Sequence, residues 1–457
     1  MKKIFSVSKI TALLLWRNGT IPALTVLITA FAVFIFFATN SNNNLTDELH
    51  LRLKYSLICM SVLVNCSILY LGVFSLRKDI DERRFHTIAA APVFRFQIWL
   101  GKFIGISFTA TTIFLIALAT IAISSYLFIA NWDKPYTKEE LKEDFITSYM
   151  ECKPDLSQLN RKIQEEFSKK LKNLIKQQNS EHDQEGDLEG DKWRARKYLL
   201  TEIKKEKQII KPKSKSSWRF FWDPRKANGN FAFIKFKTYS NNRKIKVKGI
   251  WSIIDENGKI VWKYDFENYP YLDYKIKIPM EKMPKTKNFT LVFNNIGNTY
   301  LIFPIFNNGL TLFYPDRNIF TNCLHFILFS FLGIAITTAL ALTSASIFSF
   351  PVAIFVAFIT FSIGNMSNFF TNIIQDLNFH NSDFLTFFYK SIISLAIWIT
   401  QMLKTPPVSS LFSDGISIPS MNLLQSWGIS FILYFLIIII IGTKVLKNKE
   451  LDKILSK

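Results

Sequence analysis

The stretch with the most chemical character runs from Arg77 to Lys102, RKDIDERRFHTIAAAPVFRFQIWLGK, between two apolar runs. It crowds Asp79, Asp81 and Glu82 against Arg83 and Arg84, then places Thr87, Pro92 and Arg95 before Gly101-Lys102. Charge at one end, an amphipathic middle and a proline break read in two ways. One is an ordinary basic loop; the other is an amphipathic helix lying along a membrane face. Gly101-Lys102 is followed by Phe103 and has no glycine five residues earlier, so it is not a nucleotide-binding P-loop. No G-x-S-x-G occurs, which leaves a hydrolase triad unsupported. His50, His86, His182, His325 and His380 are scattered without an H-E-x-x-H, so a zinc site is not expected. His182, Asp183, Glu185, Asp187, Glu189 and Asp191 alternate as a calcium loop would not, and read as a solvated linker. The sequence calls for no cofactor and no metal.

The elements around these residues follow from how composition is distributed. Hydrophobic residues make up 49% of 457, with 44 Phe against 16 Gly, yet the net charge is +21. Apolar excess and heavy charge in one chain require segregation into blocks. Disorder is excluded by the apolar content. Cys59, Cys66, Cys152 and Cys323 lie too far apart for a disulfide-stapled scaffold. Runs near the length of about 20 residues that crosses a bilayer occur at Ile21–Thr39, Tyr55–Leu76, Ile98–Ala130, Ile319–Phe348, Phe350–Gly364 and Trp427–Gly442. The first is not read as a signal peptide, because the basic region before it is long and no small-residue cleavage site follows. Ser349-Phe350-Pro351 reads as a tight turn between two spans. Phe384–Leu403 is apolar but carries Lys390 and Gln401 and runs into Pro406-Pro407, so it reads as a re-entrant element.

Basic clusters at the N-terminus, at Arg77–Lys102 and at the C-terminus fall on one side of six crossings, the cytoplasmic side. The loop Asn40–Lys54 and the long polar block Asn131–Arg317 then lie outside. His325, near the outer end of its span, reads as an interfacial residue or as a functional intramembrane group. Ile4–Asn18 is mildly amphipathic and suits either an interfacial helix or a simple flanking tail.

Within the outer block, Thr137–Lys211 has apolar residues at near-helical spacing, and from Gly229 the pattern alternates as strands do. Asp255-Glu256-Asn257-Gly258 and Asn308-Gly309 read as turns. The fold expected is an α-helical polytopic membrane protein of six transmembrane helices plus a re-entrant element (384–403). It carries a large inserted α+β extracytoplasmic domain at 131–317, helical over 137–211 and a β-sandwich of six to eight strands over 229–315. The membrane halves are 1–130 and 318–457. Lysines interleaved with aromatics at Lys235, Lys237, Tyr239, Lys244, Lys246, Lys248 and Trp251 could face nucleic acid. They equally fit a sandwich with lysines outside, and no nucleic-acid partner is expected.

The ordered set Glu82-Arg83, Thr87-Ile88, Ala91-Pro92, Arg95, Trp99 and Gly101-Lys102 resembles the signature of ABC type-2 permeases. Ser349-Phe350-Pro351-Val352-Ala353 and the ending Gly442 through Lys449-Glu450-Leu451 look similar to that family too, with Lys449 where arginine is usual. The resemblance covers the two membrane halves and not the outer block. It implies the membrane subunit of an ABC transporter in the cytoplasmic (inner) membrane, an exporter more than an importer. The implied partners are a separate ATPase subunit, a second permease subunit, identical or related, and the lipid bilayer. A periplasmic or surface partner for the outer domain is compatible with it. In the family the stretch matching Ile80–Ile98 contains the coupling helix. Asp79, Asp81, Glu82, Arg83, Arg84, Thr87, Pro92 and Arg95 would then be the residues that couple to the ATPase. The competing reading is a non-transporting membrane anchor or sensor that displays the outer domain.

Overall fold

The computed structural model describes residues 2–39, 45–81, 94–132, 147–178, 198–225, 227, 229–366, 388, 391–392, 394–395, 408–419, 428, 432 and 435–445. Two compact units are present, one helical and one built on sheets.

The helical unit opens with α1 (Lys2–Arg17). Gly19 at φ 72° takes the left-handed turn that lets the chain reverse into α2 (Thr20–Ala38). Then come α3 (Leu45–Asp81) and α4 (Arg95–Ala130). After the sheet unit the chain returns as α7 (Ile319–Ile347), α8 (Phe350–Asn365), the short α9 (Val408–Ser413) and α10 (Phe435–Val445). Among the described residues four helices, α2, α3, α4 and α7, are long and apolar enough to cross a membrane. Helix α8 has 16 residues, about 24 Å at 1.5 Å per residue, short of a bilayer core of about 30 Å. Of the expected sixth span only part lies in the described α10, and nearly all of the expected re-entrant element lies outside the described residues.

Hydroxyl side chains inside these helices bond back to their own backbone, as Thr337 does to the Gly333 carbonyl at 2.9 Å and Ser344 to the Leu340 carbonyl at 3.0 Å. This satisfies a polar group where no water reaches it. The interior of α7 is correspondingly small: Gly333, Ala335, Thr337, Thr338, Ala341 and Ser344 are all buried. Gly72 of α3 meets Ala341 there, and a Cβ at 72 would stand 2.6 Å from the alanine's Cβ.

One expectation changes in this unit. The outer loop expected over Asn40–Lys54 is helical from Leu45 onward. Arg52 is held there by one near neighbour and by two groups more distant in sequence. The Arg52 guanidinium binds Glu48 Oε1 at 2.6 Å and the Phe36 carbonyl at 2.9 Å, and lies 4.4 Å from the Phe128 ring centroid. Both charged residues are buried, which is tolerable only because each is paired.

The sheet unit contains β1 (Thr147–Cys152), α5 (Ser157–Gln178), α6 (198–206), β2 (Ile209–Ile210), β3 (Lys215–Phe221), β4 (Phe231–Lys237) and β5 (Tyr239–Ser240). It continues with β6 (Val247–Asp255), β7 (Ile260–Asn268), β8 (Asp273–Pro279), β9 (Asn288–Asn295), β10 (Leu301–Ile302) and β11 (Leu310–Asn318). The sheets are ordered β1-β11-β4-β8, β3-β9-β6-β7 and the small β2-β10-β5. The two larger sheets share one core, in which Trp251 lies 4.9 Å from Phe236 and 4.8 Å from Phe293, centroid to centroid. The β6–β7 hairpin turns at Asp255–Gly258 as the sequence predicts, with Gly258 at φ 77°. Asn308 likewise takes a left-handed turn at φ 56°.

The expected helical stretch 137–211 is a mixture. Thr147–Cys152 is a strand paired with β11, the last strand of the unit, and β3 also precedes the expected sandwich start at Gly229. Strand identity here is set by a partner far away in sequence, and near-helical spacing cannot report it. Positions 192–197 of that stretch and the acidic run 182–191 lie outside the described residues.

Candidate functional site

The site is built where α1, α3 and α4 converge. Two glycines on α4 allow the approach. A Cβ at Gly101 would stand 2.7 Å from Val7 Cβ, and one at Gly105 would stand 2.7 Å from the Ser8 carbonyl oxygen. Their spacing, Gly101-x-x-x-Gly105, is the small-residue pattern that brings apolar helices backbone to backbone. It stands in the sequence as GKFIG but was not among the features read there.

Next to Gly101 on α4, Lys102 is buried at 3% exposure. Its ammonium donates to Asp79 Oδ2 at 2.6 Å, to the Ser75 carbonyl at 2.9 Å and to Ser75 Oγ at 3.2 Å. All three N–H groups of the ammonium are thus used. A lysine within an otherwise apolar helix is costly unless so compensated. The contact joins the C-terminal end of α3 to the N-terminal part of α4. Between the helices lies a cavity of about 380 Å³. Val7, Leu14, Phe74 and Ile98 form its apolar wall, while Lys78, Asp79 and Lys102 stand at its polar side. Lys78 sits in the last turn of α3, where a cation complements the helix dipole, with its ammonium 5.2 Å from the Phe74 ring centroid.

The structure separates the predicted coupling residues. Asp79 turns inward to Lys102. Asp81 points out, with its side chain 62% exposed, and approaches Arg77 at 3.9 Å. Arg95 is the first residue of α4. Glu82, Arg83, Arg84, Thr87 and Pro92, like most of the expected coupling helix at 80–98, lie outside the described residues.

A second buried pair, Glu48–Arg52, sits near the other end of α3. Between the two pairs Tyr55–Leu76 carries no charged residue, a length of about 33 Å at 1.5 Å per residue. That matches the hydrocarbon thickness of a bilayer, about 30 Å. Near the Glu48–Arg52 end, the Asn322 side chain donates to the Ile416 carbonyl at 3.1 Å and accepts from the Ile418 amide at 2.9 Å. Lys54 reaches Asp414 at 3.2 Å. These contacts hold the segment that follows α9 against α3 and α7.

Among the described residues no cluster of three or more His, Cys, Asp or Glu could hold a metal ion. The arrangement at α1, α3 and α4 is a polar lock between the C-terminal end of α3 and the N-terminal part of α4. No protein-family model, curated protein or solved structure matches this chain.

Proposed function

We propose that the chain is the permease subunit of an ABC type-2 transporter, exporting an unidentified substrate across the cytoplasmic membrane. A separate ATPase subunit supplies the energy, and a second permease subunit completes the pathway. The observation that carries this reading is the Asp79–Lys102 lock across the ends of α3 and α4. The stretch between these ends carries the residues that resemble the family's coupling signature. A push delivered to that stretch moves two locked helices together as a rigid body, the form of motion that alternating access needs. The four long apolar helices support a membrane location. In this reading the N-terminus, the 82–93 stretch and the C-terminus face the cytoplasm, and the sheet unit faces outward. The subunit does no chemistry on its cargo.

The test is gentle solubilisation of the tagged full chain from native membranes, with mass spectrometry of what co-elutes. The expected result is a stoichiometric partner carrying a P-loop, lost in a Glu82→Lys variant that still inserts normally. Well-folded material without such a partner would sink the transporter reading and favour an anchor or sensor that displays the sheet unit.

A further inference from the structure

The sheet β3-β9-β6-β7 treats its two edges differently. The edge of β3 is covered: Pro154 bridges to Phe220, and the Asp155 amide donates to the Arg219 carbonyl at 2.8 Å. Strand β7 has no such cover among the described residues, where it pairs with β6 alone. The Lys248 carbonyl accepts from the Ile296 and Gly297 amides on the β9 side, both at 3.1 Å. The Asp255 amide donates to the Lys259 carbonyl on the β7 side at 3.0 Å. Backbone groups of successive residues in a strand point to opposite neighbours. Lys248, Ile250 and Ser252 therefore turn theirs to β9, while Gly249, Trp251 and Ile253 turn theirs to β7. The ladder partners of that second set are Phe266, Tyr264 and Trp262. The N–H and C=O groups of Lys263 and Asp265 are left turned to the open edge. Both side chains, and that of Tyr264 between them, are exposed. Such an edge is a template for another strand.

We propose that β7 pairs with β7 of a second copy of this chain, antiparallel about a two-fold axis at Tyr264. In that register Lys263 of each copy stands opposite Asp265 of the other. Each such pair exchanges both backbone bonds and sets a cation against an anion. Trp262 of each copy lies opposite Phe266 of the other, and the two copies of Tyr264 meet at the axis. Charge selects this register among the two-fold ones. Centring on Lys263 sets lysine against lysine, and centring on Asp265 sets aspartate against aspartate. A bulge leaves Val261 as the extra residue, since Ile254 faces Ile260 and Ile253 faces Trp262; it lies outside the matched run Trp262–Phe266. In strand addition to a sheet edge, main-chain bonds give affinity and side chains give specificity. The match is short, but copies held in one bilayer by their long apolar helices meet at a raised effective concentration. The inference rests on the edge of the sheet unit and stands whether or not an ATPase accompanies the chain.

The experiment places a cysteine on β7 of the full chain in native membranes and reads intermolecular disulfides on a non-reducing gel after mild oxidation. The parent chain controls for Cys59, Cys66, Cys152 and Cys323. At the axis the two copies of residue 264 form a pair without backbone bonds, with Cα atoms ~4.5 Å apart and within disulfide reach. Residue 268 stands opposite residue 260, so its two copies lie ~27 Å apart at ~3.4 Å per residue. The expected result is a covalent dimer of Tyr264→Cys at least about tenfold more abundant than that of Asn268→Cys. Adding Lys263→Asp to Tyr264→Cys should cut the dimer about tenfold, because aspartate then faces aspartate. Adding Asp265→Lys as well should return it to within about twofold, because the pairs are only reversed. That recovery also shows that the single swap did not act through loss of fold. Equal yields at positions 264 and 268, no dimer of Tyr264→Cys, or no recovery in the double swap overturns the proposal. A disulfide from Tyr264→Cys to a different polypeptide assigns the edge to another partner and equally overturns it. Co-elution of an ATPase changes none of these bands, so the two readings fail separately.

Discussion

In the helical unit many large apolar side chains stand outside, although Trp99, Phe36, Phe326 and Phe329 are fully buried: Phe5 and Phe320 are each 72% exposed, and Val26, Phe34 and Phe355 are exposed with them. Glycine, alanine, serine and threonine make up much of the buried face of α7, beside Phe326, Phe329, Leu340 and Leu342, and the buried charges of Glu48, Arg52 and Lys102 are paired. In the sheet unit the order is reversed. Trp251, Phe236, Phe293 and Phe303 fill the core, and lysines stand outside. The same residue types occupy opposite places because the two surfaces suit different solvents. Water rewards burial of aromatics, whereas lipid is as apolar as a phenylalanine and leaves close packing and polar pairing to hold helices together.

The sharpest way to break this comparison is to disturb the paired charge. Lys102→Met leaves Asp79 buried without its cation and should cost up to about 5 kcal/mol, read as a lowered unfolding temperature in detergent. Adding Asp79→Asn should recover most of that loss; no recovery would mean that the pair is not the source. In the sheet unit, Trp251→Ala should cost about 4 kcal/mol through the cavity it leaves among Trp218, Phe236, Phe293 and Phe303. Phe320→Ala, on the exposed face of α7, should stay within about 0.5 kcal/mol in the same assay. If the two aromatics cost the same, the two units do not differ in solvent.

A smaller effect sharpens the role of close packing. Gly105→Val should push α1 from α4 and cost about 1–3 kcal/mol, and cysteine crosslinking between the helices should weaken accordingly. The smallest effect is a pH dependence confined to the sheet unit. Burial pushes the Cys152 thiol from 9.0 up to about 11. Burial likewise pushes the Tyr314 hydroxyl from 10.0 up to about 12. Both groups are neutral when protonated, and the unfolded chain releases these protons first as pH rises. Their contribution is therefore fully present below pH 9 and lost as pH climbs from 9 through 12. Unfolding midpoints measured across that window should fall, and alkylation of Cys152 at pH 8 should be slow until the sheet unit opens.

Several elements were legible because a local signal was sufficient. Helices α2 and α7 follow from apolar runs of the right length, and the β6–β7 hairpin follows from alternation around Asn257-Gly258. The alternation of Tyr274, Ile276 and Ile278 with Lys275 and Lys277 marks β8 and its two faces. Strand β1 was not legible, since its apolar spacing fits a helix and only β11 makes it a strand. The site was half legible. Asp79 and the Gly101-Lys102 pair stood out as charge and glycine at the edge of an apolar run. That Asp79 would meet Lys102, rather than face outward beside Asp81, depends on how α3 and α4 pack.

The sequence by itself determined which segments are apolar enough to enter lipid, where charge gathers, and which stretches alternate as strands, because these properties are carried by near neighbours along the chain. Tertiary structure decided which charges are paired inside, which strand sits beside β11, and that Lys235 faces Lys275 across β4 and β8. Those outcomes join residues tens to hundreds of positions apart, where backbone register and helix packing, and not local propensity, choose the partner.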